Sequence, residues 1–172
     1  MKGIAKRLAI SMLAVYLCLG AQAQERVFGD WGVELMTDPM TDQNEGFMAA
    51  FSWDNPWLGG QYAEGVLAIL CRDSVVVDIA FGLDLERSLL RKDFSYTATF
   101  RIDKGPVQTS EGSSSPNGAG YLFARAEVPK LLQDLVGASN FVFRIDTEDE
   151  GTLTYQTRVE GFAEAYEFCR SL

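Results

Sequence analysis

The residue types that carry most enzyme chemistry are scarce in this sequence. It contains no histidine, which removes histidine-activated nucleophiles and histidine metal ligation from consideration. Beyond residue 23 the lysines are Lys92, Lys104 and Lys130. None follows a serine by three positions, so a Ser-x-x-Lys acylation motif is absent. No glycine-rich phosphate loop follows a strand-like run. Two cysteines, Cys71 and Cys169, lie outside the N-terminal apolar segment; if they pair, no thiol nucleophile is left. The abundant reactive type is carboxylate, with 24 Asp and Glu. Asp146-x-Glu148-x-Glu150-Gly151 opens like a calcium loop, but Thr157 stands where the bidentate glutamate belongs. A solvated turn is therefore expected there, with no metal and no cofactor. Paired acids for glycan hydrolysis are defined by their separation in space, so a carboxylate-based cell-wall glycan hydrolase stays open as an alternative. What remains is recognition. Trp53-Asp54-Asn55-Pro56-Trp57 sets two indoles beside polar groups on a stretch stiffened by proline. That composition suits a binding surface for a protein, a glycan or a small ligand, with core placement of the indoles as the competing expectation.

The ends of the chain bear on where this chemistry would operate. Lys2, Lys6 and Arg7 precede an apolar run from Leu8 to Leu19 and the small residues of Ala21-Gln22-Ala23. This is the pattern of a secretory signal, expected to be cut after Ala23 and to carry Cys18 away with it. The run is shorter than the roughly 20 apolar residues a membrane-spanning helix needs, and no later segment reaches that length. Residues 24–172 then form a single domain of about 150 residues, enough for a sizeable core. Of the 15 bases, three leave with the signal, so 12 face 24 acids and the formal charge falls from −9 to −12. Such a chain repels nucleic acid and anionic lipid. In an oxidising periplasm, Cys71 and Cys169 are expected to form one disulfide. A bridge closing so long a loop is worth about 4–5 kcal/mol in the chain-entropy model.

The elements that must position these residues read mostly as strands. Glu64 to Gly82 holds two β-branched and aliphatic runs around Arg72-Asp73-Ser74, a hairpin pattern. In its second run Val75, Val77, Ile79 and Phe81 are expected on one face. Trp31, Val33 and Leu35 alternate in an earlier strand, and Gly46 to Trp53 reads as another. From Phe94 to Asp103 the alternation is clearest, with Phe94, Tyr96, Ala98, Phe100 and Ile102 on one side. Gly105 to Gly120 is rich in serine and glycine and is expected to be a mobile polar loop. Val128, Leu131, Leu132, Leu135 and Val136 fall at helical spacing after a Pro129 start and before a Gly137 stop. Asn140–Asp146 and Thr152–Val159 form a hairpin. A last helix aims Cys169 inward with Phe162, Ala165 and Tyr166. Phe-Arg-Ile-Asp occurs at Phe100–Asp103 and again at Phe143–Asp146; each Arg and Asp is expected on a polar face. The fold class is mainly β, an antiparallel sandwich or curled sheet with one or two packed helices including the C-terminal one.

Several spaced elements resemble the periplasmic type VI secretion-associated proteins of the VasI/TagO kind. They are Trp31 with Asp38-Pro39-Met40-Thr41-Asp42, Leu67-x-Ile69-x-Cys71-Arg72, Tyr96 with Ile102-Asp103, and Gly161-Phe162 with Cys169. The region after Gly105 departs most from that pattern. The resemblance implies an accessory, non-catalytic role at the cell envelope, with another envelope protein as partner and no catalytic residues to carry over.

Overall fold

A computed structural model describes residues 24–37, 40–51, 65–83 and 88–171. Ten strands form one antiparallel sheet: β1 (Gln24–Phe28), β2 (Trp31–Thr37), β3 (Asn44–Phe51), β4 (Val66–Arg72), β5 (Val75–Gly82), β6 (Ser95–Ile102), β7 (Gln108–Ser114), β8 (Gly120–Phe123), β9 (Asn140–Thr147) and β10 (Gly151–Arg158). Their order is β1-β2-β3-β4-β5-β8-β7-β6-β9-β10, so β1 and β10 are opposite edges and the sheet is not closed. Two helices complete the described chain, α1 (Val128–Leu135) and α2 (Phe162–Cys169). The mainly-β, curled-sheet expectation with a C-terminal helix holds.

Register aligns the inward residues of each half of the sheet across neighbouring strands. Trp31 lies opposite Ala50, Ala50 opposite Leu67, and Leu67 opposite Phe81. Phe81 lies opposite Tyr121, and in the other half Phe100 is opposite Phe143, which is opposite Tyr155. All of these are buried. The sheet curls so that its halves face each other: Phe81 stacks on Phe143 at 4.5 Å and tilts against Tyr155 at 5.2 Å. Such pairs add about 0.5–1.5 kcal/mol each beyond area burial. Tyr155 also donates its hydroxyl to the Leu83 carbonyl at 2.9 Å, so the buried phenol is satisfied.

The two ends of the sheet meet without strand pairing. The Trp31 indole N–H donates to the Val159 carbonyl at 3.1 Å, and its ring lies 5.4 Å from Phe162. Asp30 N–H donates to the Glu160 carbonyl at 2.9 Å, and Glu160 N–H returns to the Asp30 carboxylate at 3.2 Å. The backbones approach so closely that a Cβ on Gly29 would strike Glu160, and one on Gly161 would strike Phe28. Both glycines also have positive φ, +58° and +85°, which glycine alone adopts at no steric cost.

Three local expectations are corrected. The segment from Gly105 to Gly120 is not a mobile loop: Gln108–Ser114 is β7, paired to β6 on one side and β8 on the other. Its inward positions are Ser110, Gly112 and Ser114, small groups that leave room for Tyr121 on the neighbouring strand, so no hydrophobic alternation marks it. The β5 alternation also fails at its start. A bulge places Leu70 opposite Asp78 but Cys71 opposite Val76, so Val76 packs on the core and Val75 is 61% exposed. One extra residue in a strand reverses which side chains face in. Val136 leaves the apolar helix face as well. As the C-cap of α1 it is extended (ψ 117°) and 56% exposed. β1 had no sequence signal; its Glu25, Arg26 and Val27 are all exposed.

The β7 assignment is testable. Placing valine at Gly112 drives methyl groups into the Tyr121 ring and the Leu122 carbonyl, and overpacking of this kind costs about 1–3 kcal/mol. Gly112→Val is expected to lower Tm by several degrees, and amides 109–113 of the unmodified protein are expected to exchange slowly. Fast exchange there would return this segment to the loop reading.

Candidate functional site

A shallow groove of about 490 Å³ opens where the β4–β5 turn, α1 and α2 converge. Its apolar walls are Val75 and Val76 of β5, Val128 and Leu132 of α1, and Val136 at the α1 cap. Tyr166 and Arg170 close one side. Each part has a local cause. Asp73 and Ser74 take positive φ in the tight turn (+47° and +67°), and the bulge that follows turns Val75 outward. Pro129 pre-sets the backbone of the first helical turn, and Gly137 (φ +79°) ends the helix and lets Val136 swing out. The Arg170 guanidinium lies 5.3 Å over the Tyr166 ring, and its Nε donates to the Ser74 carbonyl at 3.4 Å. Both valines at the rim are β-branched and more than half exposed, an arrangement that usually marks a contact surface when apolar neighbours adjoin it.

Cys71 and Cys169 form a disulfide-capable pair beneath this groove, with Cα atoms 6.1 Å apart and 98 residues of separation. Both are fully buried. Cys71 lies opposite Val76 in the sheet, and Cys169 directly precedes Arg170. A bridge here ties the β5 wall of the groove to its α2 wall, so it sets the width between them. The other sequence candidates, Trp53, Asp54, Asn55 and Trp57, lie outside the described residues, as do residues 1–23 and the turn residues Asp38 and Pro39. Of the acids of the calcium-like stretch, Glu148 and Glu150 sit on an exposed turn, and Asp146, exposed on β9, accepts from the Thr152 hydroxyl. Among the described residues no group of three or more metal-ligating side chains converges, and no helix is long and apolar enough to cross a membrane.

A polar chain running from a buried end at Tyr121 to the surface, unmarked in the sequence, fastens α1 to β7. Ser110 shares a 2.8 Å hydrogen bond with the Tyr121 hydroxyl and donates to Glu127 Oε2, while Glu111 N–H donates to Glu127 Oε1 at 3.3 Å. Glu127 is the residue just before α1, and its carboxylate reaches β7 instead of capping its own helix. One turn further on, Lys130 bridges Asp134 and Gln108. Burial pushes the Tyr121 phenol up to about 12, against the lowering effect of the Ser110 hydrogen bond, with the Glu127 and Glu111 charges adding to the rise. The Lys130 hydrogen bond holds the Asp134 carboxyl below the usual carboxylate range. Its stabilising contribution is therefore present at neutral pH and is lost as pH falls through that lowered value. Ser110 is wholly buried and donates into an acid. A serine so placed ties the start of α1 to β7.

Neither a protein-family model nor a curated protein sequence matches the chain. Among solved structures, the fold is similar to that of invasion associated protein B from Bartonella henselae. The TM-score is 0.57 over 86% of this chain and 96% of that one, at 13% sequence identity. At that identity the likeness is one of fold alone.

Two outcomes follow from the site. Intact-mass measurement with thiol alkylation before and after reduction is expected to show two thiols only after reduction; two alkylatable thiols beforehand would mean that the pair stays open. Tyr121 is neutral when folded well past the ordinary tyrosine value near 10, so stability from it is complete below pH 10 and is lost as pH climbs toward 12. A tyrosinate absorbance titration is expected to end in a late step that Tyr121→Phe removes. A variant with an unchanged titration curve would show that Tyr121 is not held by this network.

Proposed function

We propose that this chain is an exported, non-catalytic envelope protein that works by binding another protein through the groove between α1, α2 and the β4–β5 turn. The observation that carries the reading is the groove itself: exposed Val75 and Val136 above buried Val128 and Leu132, with walls held by a cysteine pair beneath. Apolar side chains inserted by a partner would displace water from this floor, and burial of that kind supplies most association energy. The groove is open and one-sided, which suits a protein segment better than an enclosed small molecule. Export and a periplasmic location rest on the N-terminal signal pattern and on the cysteine pair. The carboxylates nearest the buried tyrosine support a non-catalytic role, since Glu127 is engaged by Ser110 and Glu111 by the Thr97 hydroxyl. The sequence resemblance to type VI secretion-associated proteins supports an accessory role beside such a machine, and the fold shared with an invasion-associated protein is compatible with work at the cell surface.

A photocrosslinking residue at Val136, in the chain expressed with its leader, is expected to trap a second envelope protein. Val136→Asp should weaken that capture by about 2 kcal/mol, near 30-fold, and move Tm little, because the site is more than half exposed. Equal capture by the variant, or no crosslink at Val136 and Val75, would reject the groove as the binding surface.

A further inference from the structure

We propose that the outer face of β6, β9 and β10 is a second binding site, one that takes an acidic saccharide: a sugar bearing one carboxylate or phosphate. The site is separate from the groove between the helices and does not depend on that reading. The twin Phe-Arg-Ile-Asp segments create it. Both arginines point away from the core: Arg101 on β6 lies opposite Val142 on β9, which lies opposite Gln156 on β10. One step along the strands, Thr99 lies opposite Arg144, which lies opposite Thr154. A groove of about 440 Å³ runs here, lined by Arg101, Asp103, Lys104, Asn140, Val142 and Gln156.

The acids of the two segments are engaged elsewhere. Asp103, in a left-handed turn (φ +49°), accepts from Ser139 N–H at 3.0 Å and Asn140 N–H at 2.8 Å, which pins the β6–β7 turn to the start of β9. Asp146 accepts from the Thr152 hydroxyl. Arg144 donates to the Thr154 hydroxyl at 3.1 Å and not to a carboxylate. Neither Arg101 nor Lys104 has an acid partner among the described residues. Elsewhere in the described chain Arg72, Arg125, Lys130, Arg158 and Arg170 each meet an acid, Arg26 and Arg91 lie over aromatic rings, and exposed Lys92 stands apart from this face, ahead of β6. On a chain of net charge −9, Arg101 and Lys104 line this groove from β6 and its following turn, with Arg144 beside them on the sheet face, and these cations without carboxylates form a local anion site. Asp103 lines the groove as well, so the lining carries a single net positive charge, matched to one anionic group.

The neighbours fit a sugar around that group. Gln156 Nε2 donates to the side-chain Oδ1 of Asn140 at 3.4 Å, and the side-chain Nδ2 of Asn140 is a donor beside it. Thr99 and Thr154 offer hydroxyls on the same face, and half-buried Val142 gives an apolar floor for a ring. Planar guanidinium and amide groups recognise carboxylate and hydroxyl in this way. The strongly acidic remainder of the chain disfavours polyanions and anionic bilayers, whose many charges would feel the whole field.

The test is a titration of the uniformly ¹⁵N-labelled chain with 3′-sialyllactose (a trisaccharide with one carboxylate), neutral galactotriose, inorganic phosphate, an acidic peptide and phosphatidylglycerol vesicles. 3′-Sialyllactose is expected to shift the backbone signals of Arg101, Lys104 and Asn140 and the side-chain amides of Asn140 and Gln156, saturably and more weakly as salt rises. The double variant Arg101→Gln, Arg144→Gln is expected to lose affinity at least 10-fold with an otherwise unchanged spectrum, whereas Arg26→Gln keeps it. Equal binding of galactotriose would overturn the role of the cations. Equal binding of phosphate alone would overturn the saccharide, and preference for the peptide or the vesicles would replace it with that partner. No shift on this face with any probe would reject the site.

Discussion

The junction between Trp31 and the segment after β10 is the constraint on which the rest of this structure depends. A ten-stranded curled sheet with unpaired edges has no ladder to hold its two ends together. Here the closure is made by one indole hydrogen bond, a reciprocal Asp30–Glu160 exchange and the tilted contact of Trp31 with Phe162. Two glycines with positive φ allow the backbones to come that close. Each hydrogen bond contributes only about 0.5–1.5 kcal/mol net. Their position matters more than their strength, because they join the first described hairpin to the last helix and so enclose the aromatic core between the two halves of the sheet.

That closure also places the surfaces available for function. Helix α2 begins at the junction, packs across β1, β2 and β3, and ends at Cys169 over Cys71. It is thus fixed at both ends, and the side chain just past its end, Arg170, becomes a wall of the apolar groove. Helix α1 is fixed differently, by polar tethers from Glu127, Lys130 and Asp134 to β7. The groove lies between one helix whose end meets β4 at the cysteine pair and one tied by hydrogen bonds. On β6, β9 and β10 the face opposite the core carries Arg101, Arg144 and several uncharged polar side chains, so the groove and this face offer different chemistry on different parts of the molecule.

Much of this architecture was legible from local pattern. The alternation in β2, β6 and β9, the Pro129 start and Gly137 stop of α1, and the inward aim of Cys169 are local properties that residue spacing encodes directly. The polar orientation of Arg101, Asp103, Arg144 and Asp146 was legible for the same reason. Strand β7 was not, because its inward positions are Ser110, Gly112 and Ser114, whose size is dictated by Tyr121 across the sheet. Nor was the bulge at Leu70 and Cys71, which turns Val75 out and Val76 in: a strand's period is visible in sequence, but an inserted residue is defined only against its partner strand.

The sequence by itself determined the composition of the chemistry: no imidazole, two cysteines outside the leader-like segment, an acidic balance, and strands with one apolar face. Only the tertiary structure decided which residues share a surface. Val75 and Val136 are far apart in the chain and become rim neighbours because the bulge and the helix cap turn both outward. Arg101 and Arg144 come from matching tetrapeptides and share a face because β6 pairs with β9. Their charges stay available because Asp103 is drawn to backbone amides and Asp146 to a threonine. Side-chain type follows from sequence, but whether a charge is neutralised or left to a ligand depends on which donors the fold brings within about 3 Å of it.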